Sequence, residues 1–282
     1  MANIAVLGLG QMGAAVAGRL VERGHAVRTW NRSPGRQVPG AVRAVSPSQA
    51  CAGAPVVITM LTDVDAVLSV VAAANLGPGT TLVDMSTIGP EGTGKVADSL
   101  PAGVAMVDAP VAGSIGAAAS GTLGILAGGD PAVVDGVEPV LAALGTVRRC
   151  GPLGRGAAVK LVLNTAVITG LAALADAVAV GEAVGVSRAD TIDMLRSGPL
   201  AGLAGRAAGG PGASFAVRMA AKDLDLARAA TTTSLPAADG AAELLRRAVA
   251  SGQGAADVSV LTAGAYPPPP ASTPGQAPTS AG

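Results

Sequence analysis

The stretch "VLGLGQMGAAVAGRL" (residues 6–20) sets glycines at 8, 10 and 13 between an apolar, strand-like run and an alanine-rich segment of helical character. At such a junction each glycine has a separate job. Gly8 permits the tight turn, Gly10 lets a pyrophosphate approach the backbone, and Gly13 lets the helix pack against the strand, with the first helical amides facing the phosphates. Together with the intervening Leu9, Gln11 and Met12 they form a candidate dinucleotide loop. The spacing alone also suits an ordinary glycine-rich turn. Its place between strand and helix, with more strand–helix units following, points to a cofactor.

Outward from this loop, "NIAVLGLG", "AVRTWN", "PVVITML", "TTLVDMS" and "VAMVDAP" read as strands separated by alanine-rich helical stretches, and "TLGILAGG" and "VRRCGP" as further strands. That alternation predicts an α/β fold: an N-terminal Rossmann-type, doubly wound, mostly parallel sheet over residues 1–155. The loop "DAPVAGSIGAAASG" holds too many glycines to be one helix. From residue 156 the character changes. Nearly all of residues 157–184 fits one long helix, and residues 189–196, 220–231 and 239–251 are helical in pattern, which predicts an all-α second domain over residues 156–262. The remaining "AGAYPPPPASTPGQAPTSAG" (residues 263–282) is rich in Pro, Ser and Gly and reads as a disordered tail.

The 19 basic and 19 acidic residues balance, so nothing in the charge attracts nucleic acid, and a small molecule is the expected partner. Aromatic residues amount to 1%, so backbone amides and a few polar side chains must carry recognition. The start "MANIAVLGLG" enters a strand without a basic leader, which predicts a cytoplasmic protein. Cys51 and Cys150 have no metal or redox spacing and read as small buried hydrophobes. The longest apolar run is interrupted by Asn164, Asp176 and Glu182 and reads as a buried helix rather than a membrane span. No Asp/His/Glu grouping has metal-ligand spacing, so no metal is expected.

The second strand ends in Asn31, Arg32 and Ser33, where an NAD enzyme usually offers a carboxylate to the adenosine ribose. A guanidinium flanked by an amide and a hydroxyl suits a 2′-phosphate, which favours NADP over NAD. His25, the only histidine, sits in a turn before that strand and is read as a surface residue, not a catalyst.

Four further segments follow in order: "DMSTIGP" from Asp84, "DAPVAGSIGAAASGTLGILAGG" from Asp108, "GPLGRGAAVKLVLN" from Gly151 and "AAKDLDLA" from Ala220. With the N-terminal GxGxMG, this set resembles the β-hydroxyacid dehydrogenase family, a distant relation of the 6-phosphogluconate dehydrogenases, over residues 1–260. The resemblance implies that Lys160 is the catalytic lysine and Asn164 its substrate-contacting neighbour. It implies that Thr87 lies near the nicotinamide, that Lys222 closes over the cofactor, and that Met60 and Leu61 line it. The loop of residues 111–114 would hold a substrate carboxylate through Ala112, Gly113 and Ser114. The long helix would form the domain joint and much of a homodimer interface.

The residues support this reading. Lys160 and Asn164 are four apart and share one helix face. An ammonium among Val159, Leu161 and Val162 is desolvated, which lowers its pKa toward a range useful for proton transfer. Only three of the 19 basic residues are lysines, so a lysine here is a scarce choice. Lys222 and Asp223 are adjacent, so by helix geometry alone they diverge by roughly 100°. One position departs from the family pattern: Ala112 stands where serine is usual, leaving main-chain amides, and the Ser114 hydroxyl as a possible substitute, to bind the carboxylate. The expected activity is NADP-dependent interconversion of a short hydroxy acid and its aldehyde or keto acid. Imine reduction on the same fold, or a catalytically silent NADP-binding scaffold, are the alternatives.

Overall fold

The computed structural model describes residues 1–34, 36–209 and 215–263. Residues 264–282 of the expected tail lie outside the described residues. Strand β1 (Asn3–Leu7) sits inside a nine-stranded sheet and leads through α1 (Gln11–Glu22) to β2 (Ala26–Trp30). There follow β3 (Val42–Arg43), α2 (Pro47–Cys51), β4 (Val56–Thr59), α3 (Val64–Ala74), β5 (Thr81–Asp84), α4 (Gly89–Asp98) and β6 (Ala105–Asp108). The sheet is completed by β7 (Val111–Ala112), α5 (Ile115–Ser120), β8 (Leu123–Gly128), α6 (Pro131–Leu141) and β9 (Gly145–Gly151).

The strand order is β3-β2-β1-β4-β5-β6-β8-β7, with β9 paired to β8. From β3 to β6 every pairing is parallel, whereas β8 runs antiparallel to both β6 and β7. The chain leaves β1 toward one edge and returns to the other side of β1 at β4. A crevice therefore opens beyond the carboxyl ends of these two strands, where such sheets bind ligands. Alternation along β1 supplies both cores: Ile4 and Val6 face one layer with Val16 and Leu20, while Ala5 and Leu7 face the other with Val67 and Leu82.

All seven strands expected from the sequence are present, and two short ones were not foreseen. β3 and β7 have two residues each, too short to leave a periodic pattern. No helix follows β2: Pro39 and Gly40 hold a turn there, with Gly40 in the left-handed region (φ 78°). Cys51 is buried, and burial pushes its thiol up to about 11, while Cys150 is half-buried; both are free.

The rest of the described chain is helical: α7 (Arg155–Ala183), α8 (Arg188–Arg196), α9 (Ala201–Ala207), α10 (Val217–Ala229) and α11 (Pro236–Ala248). Helix α9 was not foreseen because "AGLAGRA" carries little apolar periodicity. In length and hydropathy α7 could cross a membrane. Here Ile168, Leu171, Leu174 and Val178 form its buried seam and share one core with Val217, Leu224 and Leu245 of α10 and α11. A third of its apolar stretch is buried, and side chains such as Val162 and Val180 are exposed.

The start of α7 is pinned to the sheet. The Asp108 carboxylate, at the end of β6, accepts hydrogen bonds from the Gly154 and Ala157 amides at 2.7 and 2.6 Å. A carboxylate suits these otherwise unpaired donors at a helix N-terminus. Glycine makes the approach possible: a side chain at Gly156 would collide with the Leu126 carbonyl, and one at Gly128 with Asp108 itself. Burial outweighs those hydrogen bonds and pushes the Asp108 carboxyl up to about 6. A carboxyl group whose folded pKa is raised favours the fold most when protonated, and that contribution is lost as pH rises toward and through 6. We expect the unfolding free energy of the wild-type protein, measured against Asp108→Asn by urea denaturation, to fall by about 2 kcal/mol between pH 4 and pH 7. A constant difference would remove the buried-carboxylate assignment.

Candidate active site

Of the three loop glycines, two are required by the polypeptide itself. Gly8 has φ 103°, and a side chain there would strike the Met60 carbonyl; one at Gly13 would strike the Gly8 carbonyl. Gly10 differs, because a Cβ there would meet nothing within 4 Å. It is the N-cap of α1, no side chain caps the helix, and Gly10, Gln11, Met12 and Gly13 all line one cleft of about 700 Å³. An open glycine beside uncapped helix amides fits a dinucleotide pyrophosphate.

Two residues assigned to the cofactor from sequence also brace the loop. Leu9 is buried in the core, and its amide donates to Asn31 Oδ1 at 2.9 Å. The other end of that amide group, Asn31 Nδ2, donates to the Ser33 carbonyl at 2.9 Å. Asn31 thus ties β2 to the glycine turn. Arg32 and Ser33 are exposed, and Arg36, which sequence reasoning passed over, lines the cleft.

Met60, Leu61 and Thr87 line the cleft from the ends of β4 and β5. Their loops are cross-braced. Buried Asp84 accepts the Thr59 hydroxyl at 2.7 Å and the Ser86 amide at 3.2 Å, and the Ser86 hydroxyl accepts the Leu61 amide at 3.0 Å. Burial raises the Asp84 pKa, and the bonds from Ser86 and Thr59 oppose that shift.

On the facing side, Lys160 and Asn164 of α7 both reach the cleft, as their spacing predicted. Asn164 is buried and donates through Nδ2 to Asp223 Oδ2 at 2.7 Å. Asp223, also buried, forms an ion pair through Oδ1 with Lys222 Nζ at 2.7 Å. Adjacent helix positions diverge, but the flexible lysine stem folds back onto its neighbour's carboxylate, so the divergence expected from helix geometry does not separate them. Lys222 Nζ also donates to the Thr87 carbonyl, which joins α10 to the loop after β5. Lys222 itself is not among the residues lining the cleft.

Half-buried Lys160 has its pKa lowered, chiefly by desolvation; Asp223 opposes the shift, while Arg206 and Lys222 add to it. Burial pushes the Asp223 carboxyl up, against the pull of Lys222, Lys160 and Asn164. The result is a lysine biased toward losing its proton, with the Asp223 charge opposing that bias.

Ala112 and Gly113 line the cleft, but Ser114 does not. The Ser114 hydroxyl accepts the Ala117 amide at 3.1 Å as the N-cap of α5, which fixes its oxygen at the head of that helix and leaves its O–H as a donor. Asp223, Arg206 and Phe215, all in the cleft, were missed from sequence. For Asp223 the signal was its place in "KDLDLA"; for the other two there was none.

Residues 3–154 match the family model described as the NAD binding domain of 6-phosphogluconate dehydrogenase. The chain is 34% identical to the 3-hydroxyisobutyrate dehydrogenase of Pseudomonas aeruginosa over 81% of this chain and 85% of that protein. It is 35% identical to the 3-sulfolactaldehyde reductase of Escherichia coli over 93% and 95% respectively. Among solved structures, Mycobacterium tuberculosis 3-hydroxyisobutyrate dehydrogenase with L-serine superposes with a TM-score of 0.79 at 31% identity, covering 93% of this chain and 98% of that one.

The glycines separate folding from binding. Gly13→Ala is expected to cost about 3 kcal/mol or more in unfolding free energy by forcing the helix off the turn. Gly10→Ala should cost no more than about 1 kcal/mol, the price of a poorer N-cap, yet weaken NADPH binding about tenfold or more by fluorescence titration. Unchanged NADPH affinity in Gly10→Ala would rule out this loop as the pyrophosphate site.

Proposed function

The chain belongs to the β-hydroxyacid dehydrogenase family of NAD(P)-dependent enzymes acting on hydroxyl groups, and on that premise we propose that it interconverts a short hydroxy acid and its aldehyde or keto acid with NADP and a lysine acid–base. The observation that carries the reading is the desolvated Lys160, set in the cleft beside the Asn164–Asp223 pair. A nicotinamide cofactor held by the glycine loop, Met60, Leu61 and Thr87 would supply or accept the hydride. Lys160 Nζ gives a proton to the carbonyl oxygen in reduction and takes it from the hydroxyl in oxidation. Asn164 spends one N–H on Asp223, which fixes its amide and turns Oδ1 toward the lysine or the substrate hydroxyl. Lys222 holds Asp223 and the Thr87 loop together.

The substrate carboxylate falls to the main-chain amides of the 112–114 turn, beside a Ser114 hydroxyl whose oxygen caps α5 and whose O–H is still a donor. Residues 1–155 act as the cofactor domain and residues 156–262 as the helical domain. We assign the chain as a cytoplasmic homodimer, the exposed apolar side chains Val162 and Val180 of α7 supplying part of the contact. The preference for NADP rests on Arg32, with Arg36 on the cleft wall and no carboxylate at the end of β2.

Lys160→Ala should lower kcat about 100-fold or more while NADPH still binds. In the wild type, reduction should decline as pH rises through a lysine pKa below the ordinary range. Asp223→Asn removes the anion that favours the ammonium form, so this decline should move to lower pH. Wild-type turnover by Lys160→Ala would sink the assignment. Arg32→Ala should raise the KM for NADPH about tenfold and leave that for NADH nearly unchanged. Wild-type protein preferring NADH would overturn the choice of NADP.

A further inference from the structure

Four cationic side chains line the cleft: Lys160, Arg36, Arg206 and Arg218. Lys160 has the proton-transfer role, and Arg36 follows β2 on the adenosine side. Arg218 is exposed and reaches the Gly254 carbonyl at 3.5 Å. Arg206, in α9, is left without a task. It is half-buried, its guanidinium carbon lies 5.6 Å from the centre of the Phe215 ring, and its Nε is buried with no hydrogen-bond acceptor among the described residues. No carboxylate among the described residues forms an ion pair with it.

A partly desolvated guanidinium without an acceptor is unfavourable, and proteins retain such groups where a ligand supplies the missing oxygens. The aromatic face of Phe215 holds the planar fork in one orientation, which suits paired hydrogen bonds to an oxyanion. Arg206 lies close enough to Lys160 for its charge to disfavour the lysine's ammonium form, so both groups act on one enclosed volume. The carboxylate turn at residues 112–114 comes from β7, in the sheet half, whereas Arg206 comes from the helical half. Turn and guanidinium thus offer anion-binding donors from two separate elements that line the cleft.

We propose that Arg206 receives a second anionic group at the far end of the substrate, so that the acid handled in this cleft is a short dianion with an oxyanion at each terminus. The inference rests on the dehydrogenase reading above for what happens between those termini. A terminal carboxylate, sulfonate or phosphonate presents the required oxygens, and the guanidinium binds each through the same chemistry.

The test is calorimetry on the NADPH-saturated protein with unreactive probes of similar length: butyrate as the monoanion, and succinate and 3-sulfopropionate as dianions. Either or both dianions should bind about tenfold or more tightly than butyrate. The stronger of the two identifies a planar or a tetrahedral terminus. In Arg206→Met that preference should shrink to about twofold or less, and Arg206→Lys, which keeps the charge and loses the fork, should restore part of it. NADPH affinity should be the same in all three proteins. The proposal is overturned if wild-type protein does not distinguish the dianions from butyrate, if Arg206→Met keeps the preference, or if Arg206→Met weakens NADPH instead. Failure of the dehydrogenase reading would register separately, as absence of NADPH oxidation with any aldehyde or keto acid while the calorimetric preference persists.

Discussion

The two hydrogen bonds from the amides of Gly154 and Ala157 to Asp108 set the position of everything that faces the cofactor loop. A long helix packed against a sheet can slide along its axis or rotate about it, because apolar contact has no strong directional preference. The buried carboxylate removes both freedoms at one end. Lys160 then lies five residues into α7, about 7 Å along its axis, and its reach into the cleft follows from the anchor. The glycines at 128 and 156 are part of the same device, since any side chain at either position would separate helix from sheet.

Charge in the cleft is unevenly distributed. Asp223 is its one carboxylate, and its oxygens are already engaged by Asn164 and Lys222, while several cationic groups remain directed inward. A cleft of this kind draws anions from solvent and disfavours cationic visitors. That bias suits acid substrates whatever their carbon skeleton.

Much of this arrangement was legible in the sequence. The glycine loop and the strands around it could be read because parallel strands buried on both faces are dense in β-branched residues, and because backbone strain at Gly8 admits almost nothing else. Lys160 and Asn164 could be paired because helical spacing is regular. Illegible were the partnerships between distant segments. Asn164 meets Asp223 across 59 residues, and Arg206 meets Phe215 from a different element. Polar residues near a site also divided into binding and bracing roles that composition does not distinguish. Asn31 and Ser114 have suitable chemistry for ligands, yet each also braces the fold by accepting a backbone amide.

Gly10 belongs to neither group. Its neighbours at 8 and 13 are glycine because the chain's own carbonyls would collide with anything larger, but no part of the polypeptide excludes a side chain at position 10. A methyl group there would enter open space. On the dinucleotide reading, that open space at the head of α1 is where a pyrophosphate would lie against the helix amides.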